Sequence, residues 1–181
     1  LRTGKVLYDS YGLVDCGGAT IAFVGMATPY SKTSSNPTYF KDENGNDIYS
    51  FSTEDFYKVA QKAVNKARRA GADYVVVLSH LGDESEGEGG INSPSMIENT
   101  YGIDVVLDGH SHSIIPGTLL KNKKGKDVIL TSTGTKFQNI GMLTLTTDGV
   151  FTTELVDTKT IGTPDPEVEA VVQDIKDGYR K

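Results

Sequence analysis

The chain has 181 residues, of which 37% are apolar and 23% charged, and its formal net charge is −6. This size suits one globular domain with a buried core. The acidic balance argues against a surface that coats a nucleic-acid polymer, because phosphate backbones bind clustered lysine and arginine. The sequence has no apolar run of about 18 residues, so it predicts no transmembrane helix.

The single cysteine, Cys16, excludes a disulfide within the chain. One cysteine fits a cytosolic protein and equally a bacterial exported protein without disulfides. We expect Cys16 to pack as a small hydrophobic residue. The chain begins at Leu1 without a methionine, as though cut from something longer, so the lack of a targeting segment says little about the parent protein.

The first predicted element is a β-hairpin. Two β-type runs within residues 11–26 flank Gly17-Gly18, a pair that is typical of tight turns. Residues 30–50 are rich in Ser, Asn, Pro and Gly, which predicts an irregular excursion. The aromatic residues from Tyr30 to Phe51 are candidates for a stacking patch at the site, or alternatively for a small loop core.

A helix follows, with a capping-box start at Ser52 and Asp55 and a stop at Gly71. Its apolar residues fall at spacings of three and four and predict one buried stripe: Phe56, Val59, Ala60, Ala63, Val64 and Ala67. Residues 73–78 form a continuous apolar run, typical of a strand covered on both faces.

A loop over residues 82–92 leads to a short predicted helix near Ser93 to Thr100. Residues 103–107 repeat the buried-strand pattern, so the two strands should be parallel and joined by a crossover. Residues 117–157 resemble an antiparallel meander. The tail from Thr163 predicts a last helix with Val168, Val171, Val172 and Ile175 along one side.

All three histidines of the chain directly follow the two predicted parallel strands: His80 after the first, and His110 and His112 after the second. The carboxyl ends of such strands meet at the edge where α/β sheets bind ligands. Converging neutral imidazoles would make a transition-metal site. The alternative is that each histidine is an ordinary polar residue at a strand end.

Two motifs resemble a known family. Ser79-His80-Leu81-Gly82 and the run Gly-Ile-Asp-Val-Val-Leu-Asp-Gly-His-Ser-His over residues 102–112 resemble the last two motifs of the calcineurin-like metallophosphoesterases. Within that superfamily they are most similar to bacterial 5′-nucleotidases and 2′,3′-cyclic-nucleotide 2′-phosphodiesterases. Residues 18–29 and 134–145 resemble two further strands of this branch, so the resemblance covers most of the chain.

The resemblance implies an α/β fold, part of an αββα sandwich whose mixed sheet contains a parallel β-α-β pair and a C-terminal antiparallel meander. It implies that His80 and His110 bind one divalent ion and that His112 binds a second, with Zn, Mn, Fe or Co as occupants. In the family, a metal-activated water attacks phosphorus. This agrees with the lack of a convincing Ser or Cys nucleophile in the sequence.

The family's other motifs are missing: an Asp-x-His, a Gly-Asp that bridges the metals, and an Asn-His-Glu or Asn-His-Asp. Asp108-Gly109-His110 spells Asp-x-His, but its histidine already belongs to Gly-His-Ser-His. Gly82-Asp83 follows the histidine motif instead of preceding it. We therefore expect Asp83 to be an exposed loop acid.

We interpret residues 1–162 as the C-terminal half of a metallophosphoesterase catalytic domain. Residues 163–181 would be a helical connector toward a missing nucleotide-binding C-terminal domain. The expected partners are a nucleotide substrate and the missing N-terminal half and C-terminal domain of the same parent chain. We expect this chain alone to be inactive and to bind at most one metal ion loosely.

Two more side chains are candidates at this edge of the sheet. Asn92 is a candidate for substrate binding, although it also suits a residue that only closes a surface loop. Asp108 is a candidate to orient a neighbouring metal ligand by accepting a hydrogen bond.

The main hypothesis is therefore part of a metal-dependent phosphoesterase that hydrolyses nucleotides. The alternative is a non-catalytic surface or binding module that keeps the fold and part of the metal site. A structural zinc domain is a weaker third hypothesis, because such sites usually have four ligands rich in cysteine. The resemblance implies an extracellular, periplasmic or cell-wall-associated parent protein.

Overall fold

The computed structural model describes residues 8–49, 51, 53–84 and 90–179. The strands within them are β1 Gly12–Cys16, β2 Ala19–Ala27, β3 Tyr74–His80, β4 Val105–Asp108, β5 Ile114–Lys121, β6 Asp127–Thr133, β7 Asn139–Leu145 and β8 Phe151–Asp157. The helices are α1 Ser31–Ser34, α2 Phe56–Arg69, α3 Ser93–Asn99 and α4 Pro166–Gly178, with 3-10 turns at Pro37–Phe40 and Thr158–Thr160. One sheet has the order β1-β2-β3-β4-β6-β5, and β7 and β8 form a second sheet.

The predicted hairpin is confirmed as β1 and β2, which pair antiparallel. Gly17 and Gly18 both have positive φ, 67° and 93°, a conformation that glycine adopts without steric cost. β1 lies at the edge of the sheet and is exposed along its length. Cys16 ends this strand and is exposed, so the expectation that it packs as a hydrophobic residue is wrong.

Helix α2 covers one face of the large sheet. Its buried residues are Phe56, Ala60, Ala63, Val64 and Ala67, as predicted. Val59 is 54% exposed, because it lies on the flank of the apolar stripe and faces away from the sheet. Asp55 occupies the N-cap position without a side-chain cap hydrogen bond, and Ser52, the other predicted capping residue, lies outside the described residues.

The parallel strands form the centre of the large sheet and are buried on both faces. β3 pairs in parallel with β2 and β4, which confirms the predicted strand–helix–strand crossover through α3. Val75 and Val77 of β3 belong to the core shared with α2 and α3. Val76 points to the opposite face, where it joins Ile21 and Val105.

The segment predicted as one antiparallel meander divides into two hairpins. β5 and β6 pair antiparallel, but β6 also pairs in parallel with β4 and so enters the large sheet. Its alternating residues explain this position, because Val128 and Leu130 are buried toward the helices while Ile129 packs on the other face. β6 is therefore apolar on both faces, as an internal strand must be.

β7 and β8 form the second hairpin and pack on the face of the large sheet opposite the helices. Leu143, Leu145 and Phe151 contact the cluster of Ile21, Val76 and Val105. The protein thus has helices on one side of a mostly parallel sheet and a small antiparallel sheet on the other. The expected mixed α/β fold is confirmed.

Helix α4 begins at Pro166, where the Asp165 carboxylate accepts hydrogen bonds from the Glu167 and Val168 amides. The apolar side predicted for this helix is exposed: Val168 61%, Val171 60%, Val172 42% and Ile175 54%. Its role as a connector remains a prediction. Within the described ranges, no helix has both the length and the apolar character needed to cross a membrane.

Candidate metal centre

The histidine-bearing segments leave two neighbouring parallel strands at the same edge of the sheet. His80 is the last residue of β3, and His110 follows the end of β4 by two positions. The centroids of the His80 and His110 rings are 5.0 Å apart, with the ring planes inclined by 61°. Two imidazoles at this separation can each offer a nitrogen to one ion, since a metal–nitrogen bond is about 2.1 Å.

His112 is exposed and does not join His80 and His110 as a third ligand. In the part of the chain that the structure describes, no group of three or more His, Cys, Asp or Glu side chains is arranged to hold a metal ion. The residues therefore fit a metal in part. His80 and His110 lie together as a two-nitrogen pair, and His112 lies apart from them.

Glycines let the two histidine segments approach each other closely. A Cβ added to Gly82 would lie 3.4 Å from His110 Cδ2 and 3.4 Å from Ser111 Cβ. A Cβ added to Gly109 would lie 3.4 Å from His80 Nδ1. Each motif thus places a glycine against the histidine segment of the other, which accounts for the short distance between the two rings.

Asp108 joins the segments through the backbone. Its Oδ1 accepts hydrogen bonds from the amides of Leu81 and Gly82, both at 3.3 Å. Its Oδ2 is buried and has no hydrogen-bond partner among the described residues. The carboxylate therefore supports the turn directly after His80, and orientation of a metal ligand by Asp108 remains a prediction.

Asp83 connects the end of the first histidine motif to the two serines that flank His112. Its carboxylate accepts a hydrogen bond from the Ser113 hydroxyl at 2.8 Å, and its amide donates to the Ser111 hydroxyl at 3.3 Å. Burial alone would raise the pKa of Asp83, but the hydrogen bonds from Ser111 and Ser113 outweigh burial and lower it. Asp83 is half-buried, so the expectation of an exposed loop acid is wrong.

The histidines of the second motif have unusual backbone conformations. His110 has a φ of 85° and His112 a φ of 59°, in the left-handed region that non-glycine residues rarely adopt. Such conformations persist where surrounding contacts hold them, and they cluster at functional sites. The motif spelled Gly-His-Ser-His therefore folds as a tightly constrained loop.

The wall of the site also includes residues outside the two histidine motifs. The Tyr30 ring lies 6.2 Å from the His110 ring in an edge-on arrangement. Buried Thr28 donates its amide to the His80 carbonyl at 3.1 Å and so fixes the start of this segment. A cavity of about 350 Å³ opens beside Tyr30, lined also by Pro29, Lys32, Thr33, Phe51 and Thr53.

Asn92 has a structural role at the start of α3. Its side chain accepts a hydrogen bond from the Ser95 amide at 2.8 Å, and the Ser95 hydroxyl accepts one from the Asn92 amide at 3.0 Å. This reciprocal pair is a capping box. Substrate binding by Asn92 remains a prediction.

Comparison with known proteins agrees with the motifs. Residues 8–134 match the model of a family described as bacterial capsule synthesis protein PGA_cap. A 2′,3′-cyclic-nucleotide 2′-phosphodiesterase/3′-nucleotidase of Haemophilus influenzae is 38% identical over 79 residues, which cover 42% of this chain and 12% of the relative. A 5′-nucleotidase of Vibrio cholerae is 27% identical over 134 residues, which cover 69% of this chain and 23% of the relative.

The solved structure of a 5′-nucleotidase precursor from Thermus thermophilus is similar with a TM-score of 0.61 and 26% identity, over 82% of this chain and 29% of that chain. The chain therefore spans less than a third of the length of each relative named here, and no more than 23% of the two curated ones. The resemblance deduced from the two histidine motifs is confirmed. The chain belongs to the metallophosphoesterase-like PGA_cap family and is similar to bacterial 5′-nucleotidases and cyclic-nucleotide phosphodiesterases.

Proposed function

We propose that this chain is part of a two-metal phosphoesterase that hydrolyses nucleotides, either a 5′-nucleotidase or a 2′,3′-cyclic-nucleotide phosphodiesterase/3′-nucleotidase. The observation that carries the proposal is the His80–His110 pair, whose ring centroids lie 5.0 Å apart beyond the ends of adjacent parallel strands. α/β sheets bind their ligands at this edge. The activities named for the relatives supply the substrate class.

The chain's own residues would hold and orient the reacting groups. His80 and His110 would hold one divalent ion and His112 the second, with Zn, Mn, Fe or Co as candidates. When bound, such ions stabilise charge on the phosphoryl group and activate water for attack. Asp108 would keep the turn after His80 in place through the Leu81 and Gly82 amides.

The rest of the site would come from outside this chain. Two ions need more ligands than three histidines provide, and an N-terminal half of the parent protein would add the bridging carboxylate. A C-terminal domain beyond the 163–181 connector would bind the nucleoside. We also propose that the parent is exported, to the periplasm, the cell wall or the medium, in line with the relative named as a precursor.

A non-catalytic surface or binding module is the second candidate. It is favoured by the lack, among the described residues, of a group of three side chains able to hold an ion. The family name, which refers to capsule synthesis and not to nucleotides, is also compatible with this second candidate.

The test uses the full-length parent protein with 5′-, 3′- and 2′,3′-cyclic nucleotides and added Mn²⁺, Co²⁺ or Zn²⁺. We expect turnover, and we expect His80→Ala and His110→Ala each to reduce kcat/KM by more than about 100-fold, because even residues that only support metal ligands are worth 10–100-fold. Glu98→Ala, on the exposed side of α3, is the control. Nucleotide binding without turnover would favour the non-catalytic module.

The isolated 181-residue chain gives a second, independent result. We expect it to leave p-nitrophenyl phosphate unchanged in the presence of Mn²⁺ or Co²⁺. Turnover by the pure chain would show that its site is complete and would contradict the need for an N-terminal half.

A further inference from the structure

The two serines that flank His112 are both tied to one residue thirty positions earlier. The Ser113 hydroxyl donates to Asp83 Oδ1 at 2.8 Å, and the Asp83 amide donates to Ser111 Oγ at 3.3 Å. Asp83 therefore holds the residue before and the residue after His112. Among the described residues, no other acidic residue forms a hydrogen bond with either serine.

His112, between the two serines, has a sterically unfavourable backbone conformation. His112 has a φ of 59°, and for a side chain with a Cβ the left-handed region carries a steric cost. Without external contacts, the segment would relax toward conformations with negative φ, and the direction of the imidazole would change. The paired hydrogen bonds to Asp83 supply the contacts that keep it in place.

The arrangement is reciprocal with that of Asp108. Asp108, just before the Gly-His-Ser-His motif, holds the amides just after His80, while Asp83, just after the Ser-His-Leu-Gly motif, holds the serines around His112. Each histidine segment thus carries one acid that fixes the other. A Cβ added to Gly82 would lie 3.4 Å from Ser111 Cβ, so the lack of a side chain at Gly82 lets the two segments approach closely.

We propose that Asp83 is a positioning residue that presets the direction of the His112 imidazole before any metal ion arrives. We call the contacts of Asp83 with Ser111 and Ser113 the Asp83 clamp. The assignment of His112 as a metal ligand rests on the proposed function, whereas the clamp rests only on these contacts. Presetting a ligand raises metal affinity, because the ordering of the loop is complete before binding. A mere loop closure by Asp83 would instead affect folding alone.

The first test uses the metal-free full chain and measures ¹⁵N relaxation. In Asp83→Ala and in Ser113→Ala, we expect the order parameter of the His112 amide to fall from about 0.85 to below about 0.6. Asp83→Asn keeps an acceptor oxygen and should stay near the wild type. Asp148→Ala, which removes a remote carboxylate that pairs with the Thr146 hydroxyl, is the matched control. A His112 amide that stays rigid in both Ser113→Ala and Asp83→Ala overturns the proposal.

The second test titrates Co²⁺ into the full-length parent protein. Asp83→Ala and Ser113→Ala should weaken binding of one Co²⁺ equivalent by about 10–100-fold and leave the other within about twofold. Asp83→Asn should restore most of that affinity. Equal weakening of both equivalents together with a lower Tm would mean a structural role only and would overturn the proposal.

A wild-type parent that binds no Co²⁺ would overturn the proposed function, and with it the metal-related purpose of Asp83. The relaxation result would then still decide whether the clamp exists. The two failures are therefore distinguishable.

Discussion

Arg68 joins the C-terminal end of α2 to the loops that precede β3 and β4, and its replacement by alanine is expected to destabilise the protein strongly. Its guanidinium donates to the Gly102 carbonyl at 3.1 and 2.9 Å, to the Asp104 carboxylate at 2.6 Å, and to the carbonyls of Ala72 and Asp73. One side chain thus satisfies acceptors in two separate loops.

The size of the loss follows from what remains after the substitution. Asp104 keeps the Val75 amide as a donor but loses its cation, and Gly102 loses both of its Arg68 hydrogen bonds. A hydrogen bond from a charged donor is worth about 1.5–3 kcal/mol, and breaking a buried ion pair costs about 3–5 kcal/mol. Since both side chains are 31% exposed, water replaces part of this, and we expect a loss of about 3 kcal/mol.

Thermal unfolding followed by circular dichroism measures the effect. For a chain of this length, about 3 kcal/mol corresponds to a Tm lower by about 6–12 °C. Arg69→Ala is the matched control, because it removes the same side chain from an exposed position next along the helix and should change stability by less than about 0.5 kcal/mol. A loss in Arg68→Ala within about 1 kcal/mol of that control would refute the reasoning.

Two further predictions concern Asp104 and Gly82. Burial raises the pKa of Asp104 above its ordinary value even though Arg68 pairs with it, so the folded chain binds this proton more tightly than the unfolded chain. The free energy of unfolding of the wild type, relative to Asp104→Asn, should therefore fall as the pH rises above about 4, and a rise would mean that the ion pair dominates. Gly82→Ala and Gly45→Ala both place a Cβ at positive φ, 78° and 81°, but only Gly82 has neighbours within 4 Å, among them His110. Gly45→Ala should cost about 1–2 kcal/mol and Gly82→Ala clearly more, with weaker metal binding; equal losses in denaturant unfolding would contradict the contact.

The sequence predicts the centre of the fold well. β3 and β4 are predictable because runs such as Val75-Val76-Val77 are apolar on both faces. Such a run can be recognised from the local sequence, without knowing which strands lie beside it. The positions of His80 and His110 follow from the ends of these strands. Both segments leave the same edge of the sheet, and Gly82 and Gly109 then let the two rings approach each other closely.

What the sequence misses depends on tertiary contacts. β6 lies beside β4 because one of its faces packs on the helices and the other on the small sheet. Its local pattern suits an antiparallel meander equally well. Val59 lies only slightly off the helix stripe, so its spacing does not reveal its exposure. The Asp83–Ser113 hydrogen bond joins residues 30 positions apart, and an acid beside a glycine gives no local sign of it. The nearest signal in the sequence is that Asp83 and Asp108 each adjoin a histidine motif.

The left-handed backbone at His110 and His112 has a consequence for how these positions respond to selection. The φ values are 85° at His110 and 59° at His112. Glycine or asparagine adopts such values more easily than histidine does. A library screened for thermal stability alone should thus drift away from histidine at both positions, and one screened for metal-dependent turnover should retain it. The two selections would pull in opposite directions on the same loop, which is the pattern expected where stability has been exchanged for chemistry.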